Sequence, residues 1–159
     1  SDSAITYRQR VGLFTRPSIG VVVQALVTPE TAGVMFTRNP ITGAEERVIE
    51  ASWGLGEAVV AGRVIPDHYR VSTSGEVLDR IAGRKDVEIR ALPSGGTEEH
   101  PVAAERVELP CLDDSALERL AALADRCEQI YGPARDIEWA IAEGELYLLQ
   151  CRAVTRAGG

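Results

Sequence analysis

No stretch of the sequence approaches the run of about 20 apolar residues that a membrane-spanning helix requires. Positive charge is in deficit: 17 Lys plus Arg stand against 24 Asp plus Glu, for a net charge of −7. A chain with that balance does not hold nucleic acid or an anionic lipid surface by bulk charge. Cysteine is sparse, and Cys111, Cys127 and Cys151 lie far apart, leave an odd one over and lack metal-ligand spacing. Reduced thiols in a cytoplasmic protein are expected. Internal repeats and low-complexity tracts are absent, as are a signal peptide and an initiator methionine. The chain opens Ser1-Asp2-Ser3, and a piece of a longer protein is expected. What is present is 159 residues, 45% apolar and 26% charged, enough for one domain with a core or one lobe of a larger domain.

The first half reads as strand. Residues 19–28 (IGVVVQALVT) form a β-branched run ended by Pro29, which cannot donate to a continuing ladder. Residues 33–37 make a second short strand, stopped by Asn39-Pro40 and a turn at Thr42-Gly43, and residues 47–51 a third. The loop Ser52-Trp53-Gly54-Leu55-Gly56-Glu57 follows. It reads equally as a phosphate cradle or as a tight strand-to-helix turn, since glycine serves both. A helical turn is expected over 58–61, closed by Gly62, then modest strands over 68–72, 76–81 and 86–90 and a surface loop over 93–97.

One helix is plain. Ser115-x-x-Glu118 reads as a capping box, and Leu117, Leu120, Ala124, Cys127 and Tyr131 make a stripe of helical period widened by Leu123 and Ile130. Gly132-Pro133 stops it.

The last segment reads as a hairpin of 135–141 (RDIEWAI) and 146–152 (LYLLQCR). Strand alternation puts Ile137, Trp139 and Ile141 on one face and Asp136, Glu138 and Ala140 on the other; Leu146, Leu148, Gln150 and Arg152 are expected to share a face. A loop of Glu143-Gly144-Glu145 sets Glu138 opposite Gln150 and Asp136 opposite Arg152, whereas a two-residue loop sets Glu138 opposite Leu149. Glu-Gly is a weaker type I′ pair than Asn-Gly, which favours the longer loop. Glu138 and the Gln150 carbonyl are hard oxygen ligands of the kind Mg²⁺ takes when phosphates and water complete its octahedron, and Arg152 offers a fork for phosphoryl charge. Spacing alone favours the plainer reading, a solvated sheet face on which these are merely surface charges.

The surrounding residues tip this balance. Residues 136–140 (DIEWA) and 146–155 (LYLLQCRAVT) resemble the closing signature of the nucleotide-binding domain of the phosphoenolpyruvate synthase and pyruvate phosphate dikinase family. Upstream, 23–27 (VQALV), 32–40 (AGVMFTRNP), 53–57 (WGLGE), Gly62 and Pro66-Asp67 follow in family order, so the resemblance runs from about residue 10 to 156. It implies an α+β ATP-grasp C-terminal lobe with an antiparallel sheet and few helices, spanning 1–159 as part of a larger multidomain enzyme. It implies Glu138 and Gln150 as Mg²⁺ ligands and Arg152 as the catalytic residue on the transferred phosphoryl group. Gln24, Leu26 and Val27 would line the adenine pocket, and Thr37 with Arg38 would lie near the nucleotide. The implied activity is ATP-driven phosphorylation of a histidine on a separate swivelling domain, releasing AMP and phosphate. His68 and His100 sit in no such motif and read as a strand and a loop residue. Neither a glycine-rich lid nor a phosphate lysine is seen, the sole lysine being Lys85 in a polar stretch, so the first lobe and the phosphohistidine domain are expected elsewhere in the parent chain. The similar rifampin phosphotransferases are one alternative, although residues 53–57 and Pro66-Asp67 lean toward the synthase, and a non-catalytic nucleotide-binding module that kept the fold is the other.

Overall fold

The computed structural model describes residues 26–154. Six strands form one antiparallel sheet: β1 (Thr31–Phe36), β2 (Glu46–Trp53), β3 (Asp67–Ser72), β4 (Val77–Ile81), β7 (Arg135–Ala142) and β8 (Glu145–Ala153), in spatial order β4-β3-β2-β1-β7-β8. Between β4 and β7 the chain makes a separate hairpin, β5 (Val87–Ala91) with β6 (Thr97–Pro101), then a 3₁₀ turn over Ala104–Arg106 and the long helix α2 (Asp114–Tyr131). A single helical turn, α1 (Glu57–Val60), follows β2.

The core lies between α2 and one face of the large sheet. Met35, Ile49, Tyr69, Val71, Ile137 and Trp139 point from four strands onto Leu117, Leu120, Ala124 and Cys127. Leu117 and Leu120 are fully covered, and each such burial stabilises by about 1.5–3 kcal/mol. The helix starts earlier than the capping-box reading expects. Asp113, in extended conformation, is the N-cap, its carboxylate accepting from Ala116 N at 2.8 Å, and Ser115 lies inside the first turn. The stripe also ends sooner, because Ile130 and Tyr131 are exposed while Glu128 takes the inward place at the last turn. Gly132, with φ of 95°, closes the helix and returns its N–H to the Glu128 carbonyl.

Gly54 decides how the chain leaves β2. Its φ is +73°, and a Cβ there would stand 2.6 Å from the Ile89 carbonyl oxygen. The backbone can therefore bridge to β5, with Leu55 N donating to Ile89 O at 2.9 Å. Ala58, Val64 and Ile89 form a small second cluster beneath α1. The strand β6 (TEEHP) was not expected, since charges and a proline give it no strand signature; the Leu92–Gly96 turn imposes the pairing instead. Residues 19–25 of the β-branched run, Gln24 among them, lie outside the described residues.

Lys85 stands where its polar neighbours gave no hint of burial. Its ammonium is wholly enclosed and meets Asp67 Oδ1 at 2.5 Å. The same carboxylate accepts from Gly83 N at 2.7 Å, Cys111 N at 2.8 Å and the Tyr69 hydroxyl at 3.2 Å. One aspartate thereby ties the start of β3, the loop before β5 and the approach to α2. Burial and the neighbouring Cys111 and Asp67 push the Tyr69 phenol well above its usual range.

Candidate nucleotide site on the hairpin face

The β7–β8 hairpin turns through two residues, Glu143 and Gly144, with φ of 50° and 76°, rather than through three. Near the turn, Ala142 pairs with Glu145 and Trp139 with Leu148. Continued unbroken, that pattern would set Leu149 opposite Glu138. A β-bulge intervenes: Leu149 is the extra residue, and beyond it Glu138 pairs with Gln150 and Asp136 with Arg152. The expected loop length is thus corrected, and the expected partners are reached by a different route. The face assignment is also corrected. Leu146 and Cys151 pack on the α2 core opposite Ile141 and Ile137, whereas Gln150 and Arg152 lie opposite Glu138 and Asp136 on the other face.

That second face carries the charged groups together. Arg152 Nε lies 3.3 Å from Asp136 Oδ2 and its Nη2 lies 4.0 Å from Glu138 Oε1. The arginine side chain is 59% exposed, against 33% for Glu138 and 20% for Asp136. An exposed pair of this kind contributes at most about 1 kcal/mol, so the guanidinium is free to turn to a stronger anion. Asp136 is the member absent from the site expected by resemblance, although its i, i+2 spacing from Glu138 announces a shared face.

Glu138 opens into a cleft of about 410 Å³ lined also by Gly33, Leu55, Gly56, Glu57 and Leu149. A second cleft of about 210 Å³ adjoins it through Leu55, Gly56 and Leu149, and is lined by Leu26, Val27, Pro29, Ala32 and Ala140. The bulged Leu149 forms the wall common to both. The result is a groove with an acid at one end and apolar residues at the other, the composition of a small-molecule site. Of the two readings for the Gly54–Gly56 loop, the turn role belongs to Gly54, while Gly56 lines both clefts with an ordinary helical φ of −61°.

Thr37 lines neither cleft. It is fully buried, its hydroxyl donating to Glu128 Oε1 at 2.7 Å and accepting from Arg135 N at 2.8 Å. Its carbonyl accepts from the buried Arg47, whose other nitrogen reaches Asp125. Arg38 bridges Glu45 and Glu128 at 3.3 and 3.4 Å. Thr37 and Arg38 fasten the junction of β1, α2 and β7, just behind Asp136. Burial of Glu128 opposes its ionisation, but hydrogen bonds from Thr37 and Ala134 N–H and the charges of Arg47 and Arg38 outweigh it and lower its pKa.

The donor set fits a hard divalent cation in part. Glu138, Asp136 and the Gln150 carbonyl are oxygen donors on one face, but the described residues contain no group of three or more His, Cys, Asp or Glu side chains able to hold a metal alone. A cation here needs ligands from a phosphate and water, as Mg²⁺ commonly takes. Among the described residues no helix is long and apolar enough to cross a membrane.

Taken with the groove, the mostly antiparallel sheet and two helices define an α+β ATP-grasp lobe. The chain belongs to the family of the pyruvate phosphate dikinase AMP/ATP-binding domain, which it matches over residues 1–159. It is 39% identical over 157 residues to a rifampicin phosphotransferase of Streptomyces sviceus, covering 98% of this chain and 18% of that protein. It is 41% identical over 157 residues to a probable phosphoenolpyruvate synthase of Methanothermobacter thermautotrophicus, covering 98% and 23%. A prodigiosin synthesizing transferase of Serratia marcescens is 37% identical over 159 residues, covering 96% and 18%. The chain spans about a fifth of the length of these curated relatives.

Proposed function

We propose that this chain is the second lobe of an ATP-grasp site and carries its metal and adenine sides. The observation that bears most weight is the Leu149 bulge, which sets Gln150 against Glu138 and Arg152 against Asp136 beside a groove whose far end is apolar. Leu26 and Val27 line that far end, where an adenine ring would pack against Leu26 and Leu149 and be shielded from water. Gln24, on the same stretch of chain, is proposed to help read the adenine edge. Glu138 and Gln150 would hold Mg²⁺, with Asp136 beside them. Bound magnesium would supply charge neutralisation to the phosphates. Arg152, loosely held by its carboxylate partners, exchanges them for phosphoryl oxygens and stabilises the charge that gathers there during transfer.

In the parent enzyme the reaction is phosphorylation of a histidine on a separate swivelling domain, with AMP and phosphate released. The first lobe, with its phosphate-binding lysine, and the histidine domain belong to the remainder of the parent chain, so this lobe alone has no turnover. The final acceptor is chosen outside this lobe: relatives bearing the names of a phosphoenolpyruvate synthase and of a rifampicin phosphotransferase are about equally similar to it. Calorimetric titration with ATP, with and without Mg²⁺, tests the reading. Wild type is expected to bind more tightly with Mg²⁺, and Glu138→Ala to lose that gain. Equal affinity of the two proteins in Mg²⁺ would point to a non-catalytic module and refute the metal assignment.

A further inference from the structure

Two of the three cysteines belong to one packed cluster in the core. Cys127 lies on the buried side of α2, 2% exposed, and Cys151 reaches the same cluster from β8, where it stands opposite Ile137. Burial, with the neighbouring Cys151, pushes the Cys127 thiol up to about 11. Cys151 is only half buried, so a small oxidant can reach it, and it sits between Gln150 and Arg152 in the strand. Among the described residues β8 is the outer strand of the sheet and is paired on one side only, by β7. Its backbone is therefore easier to draw toward α2 than that of an inner strand. Cys111 is elsewhere, its backbone N–H held by Asp67.

We propose that Cys127 and Cys151 form a peroxide-sensitive thiol pair that closes a disulfide between α2 and β8, a modification site directly behind Gln150 and Arg152. The chemistry is a two-electron oxidation by hydrogen peroxide. The Cys151 sulfur attacks one peroxide oxygen, the O–O bond breaks, and a sulfenic acid and one water result. The Cys127 sulfur then attacks the sulfenic sulfur; the S–S bond forms, the S–O bond breaks, and the hydroxyl leaves with the Cys127 proton as a second water. The bond requires the two Cα atoms to come within about 4.4–6.8 Å, a demand on β8, the outer strand among the described residues. A link at this position staples β8 to the helix and restricts the strand that bears Gln150 and Arg152. Its consequence for nucleotide binding rests on the function proposed above; the thiol chemistry does not.

The test is graded peroxide treatment of the chain, followed by thiol titration and mass spectrometry of proteolytic peptides. Free thiols should fall from three to one, with loss of two hydrogens in mass and a linked peptide pair containing Cys127 and Cys151. Amide exchange at residues 150–152 should slow on oxidation and recover with dithiothreitol. In Cys127→Ser the linked pair should vanish, and Cys151 should instead be trapped as a sulfenic acid by dimedone. A link through Cys111, retention of all three thiols, oxidation of Cys151 straight to the sulfinic acid, or unchanged exchange at residues 150–152 in the linked protein would overturn the proposal.

Discussion

Replacing Lys85 by Met removes the cation from a site with no exit to water. Lys85 and Asp67 are 0% and 1% exposed, so the abandoned carboxylate stays buried. Breaking a buried pair from one side costs about 3–5 kcal/mol. Three donors remain on Asp67, from Gly83, Cys111 and Tyr69, and they soften the loss toward the lower half of that range. At about 2–4 °C per kcal/mol for a chain of this size, the melting temperature should fall by roughly 6–16 °C. Circular dichroism melts and urea titrations read this directly. Replacing both partners by apolar residues often restores stability elsewhere, but not here. Asp67→Leu with Lys85→Met leaves the Gly83 and Cys111 N–H groups unpartnered, at about 1–3 kcal/mol each. A Lys85→Met protein within about 1 kcal/mol of wild type, or a double variant as stable as wild type, would refute this view of the network.

Gly54→Ala should destabilise by more than about 1 kcal/mol in urea, because φ is +73° and the new Cβ would meet the Ile89 carbonyl at 2.6 Å; it should also loosen the Leu55–Gly56 wall of the groove. Glu128 has a lowered folded pKa, so its contribution is fully present above the ordinary carboxylate value and fades as pH falls through the folded value. Glu128→Gln should therefore be less stable than wild type at pH 7, with the gap closing below about pH 4 in denaturant titrations. An equal gap at both pH values would contradict the assignment.

Much of the fold is legible because its signals are local. Alternation in residues 135–142 marks which side of β7 meets the helix, and Gly132 marks the helix end by its backbone alone. The α2 start is displaced because Asp113 and Ser115 are both competent caps, and it is Asp113 whose carboxylate accepts from Ala116 N. The Glu138–Gln150 pairing is reached from sequence through two compensating departures, a loop one residue shorter and a bulge one residue longer. Nothing in a Leu-Leu pair distinguishes a bulged residue from a paired one. Lys85 illustrates the other limit. Its partner lies 18 residues away on β3, and burial of a charge is a property of the pair in space, not of either segment. Thr37 was assigned by motif resemblance to the nucleotide, whereas its geometry is that of a fastener between β1 and Glu128.

The central claim is that Glu138, Gln150 and Arg152 share one ligand at the mouth of the groove. Titrating manganese·ATP into the ¹⁵N-labelled chain tests it, since the paramagnetic ion broadens the resonances nearest to it. The Gln150 side-chain amide and the backbone amides of residues 138, 150 and 152 should broaden first, with Leu26 and Val27 shifting but staying sharp. Broadening centred instead on the opposite face of the sheet, at Glu30, Asp113 and Asp114, would contradict the claim.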